Sequence, residues 1–329
     1  MPVSISMSNS PLDTPALSTS RLQTSLGSLM LSTPIIASAG TLGNGNELAD
    51  LVDYSTLGAL TTPTITVTPR TGSPMPRTAD VTAGLLHATG LPNPGLETFL
   101  EQNLPVLRML PCPVIVSILG TSSEGWGLLA RTLTEAGGPA AIELNLMPLA
   151  LLDAEKSLSP DAYAASLYGG ALREYIVEAI QAARAATDLP LIAKLPSVGI
   201  DIGEAAQLAV AAGADCINVT QAFPGIAVRL SGRSCRFPGV VAGLSGPAVK
   251  PLALYQTWRA TQVVTVPVIG GGGIMSGEDA LEFFVAGASA VGVGIANMIS
   301  PSSISRIAGE VAAYLSQHDI VTVRELRAR

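Results

Sequence analysis

Eight short apolar or β-branched runs, each closing on small or polar residues, set the tightest limit on what this chain can fold into. They lie at 34–37, 59–62, 114–118, 141–144, 191–193, 216–219, 266–269 and 290–293. Unbroken apolar runs of this length read as strands buried on both faces, the form strands take in parallel sheets. From the third run onward the intervals carry helical patterns, as at 129–136, 175–183 and 205–212. Eight such alternations in 329 residues predict an α/β fold, the (β/α)8 TIM barrel, with an open doubly wound sheet as the alternative topology. With 48% hydrophobic and 4% aromatic residues, the core is built mainly of Ala, Val, Leu and Ile. Residues 24–329 are expected to form one barrel domain, and residues 1–23, rich in Ser, Thr and Pro, a flexible N-terminal arm.

Two long intervals are not helical and are punctuated by Pro and Gly. Residues 64–95 include TPRTGSPMPRT and HATGLPNPG, and residues 221–247 form a second excursion. Both follow strands, so both are expected on the C-terminal face of the barrel, where long loops tend to carry function. Two glycine-rich breaks belong to the same face. Val266-Pro267-Val268-Ile269 opens into Gly270 to Gly273, and the last run opens at Gly294 before Ile295-Ala296-Asn297. Bare backbone lets N–H groups approach an oxyanion, and a helix start behind it adds a favourable dipole. After strands 7 and 8 of a barrel, that pairing predicts a phosphate cradle.

A net charge of −7 argues against nucleic acid as a partner, which needs a surplus of Lys and Arg. Every apolar run is interrupted well before the ~18 residues needed to span a bilayer, so no membrane association is expected despite a mean hydropathy of +0.44. No secretory signal is readable, which leaves a cytoplasmic location as the expectation. Cys112, Cys216 and Cys235 are widely spaced and form no metal or iron–sulfur pattern. Cys112 and Cys216 abut strands and read as core, whereas Cys235, between Arg233 and Arg236, has a reactive role open to it.

The run VIGGGGIMSGEDALEFFVAGASAVGVGIAN resembles the FMN-phosphate end of the dihydroorotate dehydrogenase family, class 1 in particular. ASAGTLG, LGALTT, TGLPNPG, IELN, AKLP and AGLSGPAVKP agree with that family in order and spacing, so the resemblance covers nearly the whole chain after about residue 24. It implies bound FMN. Gly243, Gly272, Gly273, Gly294 and Asn297 would surround its phosphate and ribityl chain, Ala39 and Gly40 would back the ring, and Thr62 would lie on the cofactor side. Lys194 matches the family lysine at the N1 and O2 edge of the flavin, where a cation stabilises the charge of the reduced ring. A strand-end lysine among Leu191, Ile192, Ala193 and Leu195 is costly to bury without an anionic partner, which supports the flavin role over a solvent-directed one.

On the substrate side the chain departs from the family. There the motif after IELN continues Ser-Cys-Pro-Asn, with the cysteine (serine in class 2) as the base that deprotonates dihydroorotate. This chain reads Asn145-Leu146-Met147-Pro148-Leu149. A family lysine is replaced by Pro63, and family asparagines by His87, by Leu149 or a deletion there, and by Gln221. Asn145 stays in place. Gly90 and Leu91 belong to the substrate-side loop, and Arg70 and Arg77 are expected to pin it by ion pairs.

His87, whose imidazole suits proton transfer, is a candidate replacement base with Lys194 and Asn145 as the other catalytic candidates; a merely shaping role for His87 stays open. Asp153, Glu155, Lys156 and Tyr163 read as a solvated lid, and His318 as a helix-end residue. The expected activity is hydride transfer between FMN and a CH–CH or CH–N bond of a small molecule other than dihydroorotate. A true dihydroorotate dehydrogenase and a non-catalytic FMN subunit are the alternatives. The resemblance also implies a homodimer and, in one subclass, a separate electron-transfer subunit; no metal site is expected.

Overall fold

In the computed structural model, residues 19–148, 171–237 and 241–327 are described. Eight parallel strands close into a barrel in the order β1 to β8: Ile35–Ala37, Ala59–Thr61, Val114–Ile118, Ala141–Asn145, Leu191–Lys194, Cys216–Val219, Val268–Gly271 and Ala290–Val293. The closed ring excludes the open doubly wound sheet. Around it pack α1 (Ser123–Ala136), α2 (Ala171–Arg184), α3 (Ile202–Ala211), α4 (Lys250–Thr261), α5 (Gly277–Val285) and α6 (Ser303–Gln317). Each buries one stripe, as α2 does with Leu172, Ile176, Ala179, Ile180 and Ala183. Side-chain caps fix the starts of α1, at Ser122, and α3, at Asp201.

The strand boundaries differ instructively at β7. The expected strand at 266–269 runs instead from Val268 to Gly271, so two of the four glycines continue the strand. A Cβ on Gly270 would come within 2.6 Å of the Phe283 ring, and one on Gly271 within 2.9 Å of the Gly292 carbonyl oxygen. These two glycines allow close packing; the turn belongs to Gly272 and Gly273.

A two-stranded hairpin, Thr24–Leu26 with Leu29–Leu31, closes the N-terminal mouth of the barrel. Leu26, Leu29 and Leu31 pack against Ile36, Ala59, Ile115, Ala141, Ile192, Cys216, Ile269 and Ala290, one residue from each barrel strand. Residues 21 and 22 already pack on the barrel. Leu22 is fully buried, and the Arg21 guanidinium donates to the carbonyls of Leu315 and Ile320.

Two residues further along each strand the side chains face the same interior. From β3 to β6 these are Ser117, Glu143, Lys194 and Asn218; in β7 and β8 they are Gly271 and Gly292. The layer above the apolar plug is therefore polar on one side and bare backbone on the other. The two long excursions then join over this end. Thr78–Val81, Gly84–His87, Ala242–Ser245 and Phe223–Gly225 form one antiparallel sheet around Ala79, Leu86, Phe237 and Ala242.

Candidate active site

On the polar side of the barrel mouth, Glu143 is 2% exposed, and its carboxylate accepts from the Ser117 hydroxyl at 3.0 Å and from Asn218 Nδ2 at 2.7 Å. Because Ser117 donates to the carboxylate, its oxygen is left to accept from Thr64, 2.9 Å away. The Thr64 oxygen in turn accepts from Asn145 Nδ2 at 2.9 Å, and Asn145 Oδ1 accepts from Gln221 Nε2. One chain of donors thus runs from Gln221 to Glu143. Register brings its members together: Ser117 pairs with Glu143, Asn145 with Lys194, and Asn218 with Lys194.

Lys194 Nζ lies 3.7 Å from Glu143 Oε1 with its side chain only 16% exposed. The buried cation was expected to need an anionic partner, and the protein itself supplies one in the Glu143 carboxylate. The separation is too long for a hydrogen bond, and among the described residues Nζ donates none, so its donors remain available to a ligand.

His87 ends its strand opposite Gly243, with Nε2 3.1 Å from the Ser245 hydroxyl. A Cβ at Gly243 would stand 2.9 Å from His87 Cε1, so the glycine makes room for the imidazole. Burial, and then the positive charge of Lys194, hold the His87 pKa below its ordinary 6.5, and the ring is neutral at pH 7. Leu91 and Gly90 follow with φ of 52° and 69° in the turn that carries this loop back. Arg77 pins the loop through the carbonyls of Ser73 and Thr71 rather than through a carboxylate, and Arg70 Nε reaches the Gly90 carbonyl.

On the glycine side the backbone stands bare. Gly40, at φ 77°, has open space where a Cβ would be, and a Cβ at Gly294 would meet nothing nearer than Ser38 at 3.8 Å. Gly273 sits at φ 75°, where a Cβ would lie 2.8 Å from the Gly246 carbonyl oxygen. Asp279 clamps the turn that follows. Its carboxylate accepts from the N–H groups of Met275 and Ser276 and pairs with Lys250 at 2.7 Å. Asn297 is 1% exposed; its Nδ2 holds Thr41 and the Val293 carbonyl, while its Oδ1 has no partner. An orphaned buried acceptor beside the cradle suits a donor such as a ribityl hydroxyl. Ala39 lies just beyond the end of β1, and Thr62, directly after β2, accepts from the Ser117 N–H on the polar side.

The family model described as Dihydroorotate dehydrogenase matches residues 21–315. The chain belongs to the dihydroorotate dehydrogenase family. It is similar to the "Dihydroorotate dehydrogenase B (NAD(+)), catalytic subunit" of Geotalea uraniireducens, 36% identical over 93% of this chain and 96% of the relative. The protein of that name from Geobacter metallireducens is 37% identical over the same shares, and that from Desulforudis audaxviator 36% over 92% and 94%. The chain is accordingly an FMN-dependent oxidoreductase of this family.

Within that family frame the sequence motifs led to Lys194, Asn145, Gln221 and His87, which the fold gathers at one end of the barrel. They did not lead to Glu143, Ser117, Thr64, Asn218 or Ser245. The available signal for Glu143 was a lone carboxylate inside an apolar strand, one strand away from a lone lysine. Leu149, Asp153, Glu155, Lys156 and Tyr163 lie outside the described residues. Cys112 and Cys216 are buried, which pushes the Cys112 thiol up to about 11 and that of Cys216 higher still, so both are inert core. Cys235 is half-buried in a short strand opposite Val228. His318 caps the end of α6, stacked on Tyr314. No helix among the described residues is long and apolar enough to cross a membrane.

Proposed function

We propose that this chain transfers a hydride between FMN and the CH–CH or CH–N bond of a small substrate other than dihydroorotate. The observation that carries the reading is Met147, a thioether at the position where the family motif places its proton-accepting cysteine or serine. A thioether takes no proton at neutral pH, so deprotonation of dihydroorotate has no acceptor there. Bound FMN supplies the hydride-accepting N5. Gly272, Gly273, Gly294, Asn297, Gly243, Ala39, Gly40 and Thr62 would hold it, with Lys194 at the electron-rich edge.

His87 and Gln221, with Gly90 and Leu91, would face the substrate, and Asn145 would orient Gln221. Neutral His87, held by Ser245, is the group suited to take the proton that accompanies hydride departure. The apolar wall at residues 146 and 147 and the loss of a cation at Pro63 favour a substrate less anionic than dihydroorotate. We also place the chain in the cytoplasm as a homodimer that works with a separate electron-transfer subunit, the last because its relatives are named catalytic subunits.

A working dihydroorotate dehydrogenase with an altered site is the second reading, favoured by identity of 36% across nearly the full chain. Anaerobic mixing decides between them. The FMN-loaded protein is expected to stay yellow with excess dihydroorotate and to bleach with dithionite, and Met147→Cys is expected to gain measurable reduction by dihydroorotate. Rapid bleaching of the wild-type flavin by dihydroorotate would establish the second reading instead.

A further inference from the structure

Lys194 and Glu143 stand in the same interior layer, one strand apart, and they form the buried ion pair at the mouth of the barrel. Glu143 is not a loose neighbour. It is 2% exposed, and hydrogen bonds from Ser117 on β3 and Asn218 on β6 fix both of its oxygens, one from each side. That leaves Lys194 Nζ held electrostatically at 3.7 Å and free of hydrogen bonds to described residues. A cation so placed has its donors directed to a ligand while a fixed negative charge subtracts from its field. In a buried site the subtraction is large, because little water screens it.

We infer that Glu143 is a positioning residue that sets how strongly Lys194 stabilises negative charge on the flavin, and so tunes the reduction potential of the bound FMN. The inference rests on the placement of Lys194 at the flavin edge in the reading above. Removing the Glu143 charge leaves Lys194 uncompensated, which stabilises the reduced, anionic ring and raises the potential. Removing Lys194 does the opposite. A role for Glu143 in packing alone has no such sign: loss of packing weakens every interaction of the site.

The test uses the FMN-loaded full chain with sulfite as probe, which adds to flavin N5 to give an anionic adduct, together with a redox titration of the flavin. Lys194→Met is expected to bind sulfite about tenfold more weakly and to lower the midpoint potential; Glu143→Gln is expected to bind it about tenfold more tightly and to raise the potential. The double variant should fall between the two, as a coupled pair requires. Should Glu143→Gln fail to fold, Glu143→Asp, which draws the carboxylate back by one methylene, should shift both readouts in the same direction by less. Sulfite affinity unchanged in Lys194→Met would remove the lysine from the flavin edge and overturn both readings. A normal loss in Lys194→Met combined with unchanged or weakened sulfite binding in the Glu143 variants would overturn only the tuning role.

Discussion

At His87 a single ring joins stability to pH. Burial first, and the charge of Lys194 second, hold its folded pKa below the ordinary 6.5, so the unfolded chain binds the proton more readily. The unfolded state therefore carries more protons between the folded pKa and 6.5, and stability rises with pH across that window. Above 6.5 the imidazole is neutral in both states and makes no pH-dependent contribution. The facing strands bring Thr78, Gly243 and Ser245, none of which titrates there, and Asp80, two residues beyond Thr78, is exposed. Denaturant titrations between pH 5 and 8 should show the wild type losing stability on acidification by up to about 1.4 kcal/mol per pH unit, the limit for one proton. The slope should flatten in His87→Asn. Equal slopes in the two proteins would mean that the ring is solvated.

The turn from β7 into α5 carries Gly272 and Gly273, two of the residues proposed to hold FMN. Asp279 accepts from Met275, Ser276 and Lys250, and Ser276 returns a capping bond to the Asp279 N–H. Burial alone would raise the Asp279 pKa, but hydrogen bonds from Lys250, the Met275 N–H and the Ser276 hydroxyl outweigh it and hold the carboxyl below its ordinary 3.8. Asp279→Ala leaves the Ser276 cap but removes the carboxylate half of the capping box and the partner of Lys250, at a cost of about 1 kcal/mol, and loosens the turn that presents Gly272 and Gly273. Thermal unfolding should drop by several degrees, and FMN, followed by its released fluorescence, should dissociate faster than from wild type. A lower melting temperature with unchanged FMN release would detach the clamp from the cofactor.

Across the whole molecule, the barrel and the sheet over its mouth differ in how much apolar surface they bury. Barrel strands such as β3, β4 and β8 are buried at every position. Among the described residues, the sheet over the C-terminal mouth rests on a small buried cluster of Ala79, Leu86, Phe237 and Ala242. Little apolar burial means a low opening free energy. Amides of 78–87 and 242–245 should exchange hydrogen well before those of the barrel strands, and a ligand seated at His87 should slow them. Exchange of the sheet at the rate of the barrel core would show that the two unfold together.

The count of strands, the helical intervals and the glycine break after β8 were legible because each is a local pattern: a short apolar run, a 3.6-residue period, or a glycine where backbone must stand bare. The family motifs carried the family and its FMN for the same reason, being contiguous words. Partnerships between distant residues needed the fold. Glu143 meets Lys194 only through the register of β4 on β5, His87 meets Ser245 across 158 positions of sequence, and the two excursions become one sheet only when both are folded over the same rim. Even the first two glycines of Gly270 to Gly273 proved to be packing positions rather than turn positions, because the ring of Phe283 and the backbone of β8 lie against them. A sequence states which side chains exist and what their neighbours along the chain allow; closure of the barrel decides which of them share a dielectric, and with it which charges are felt.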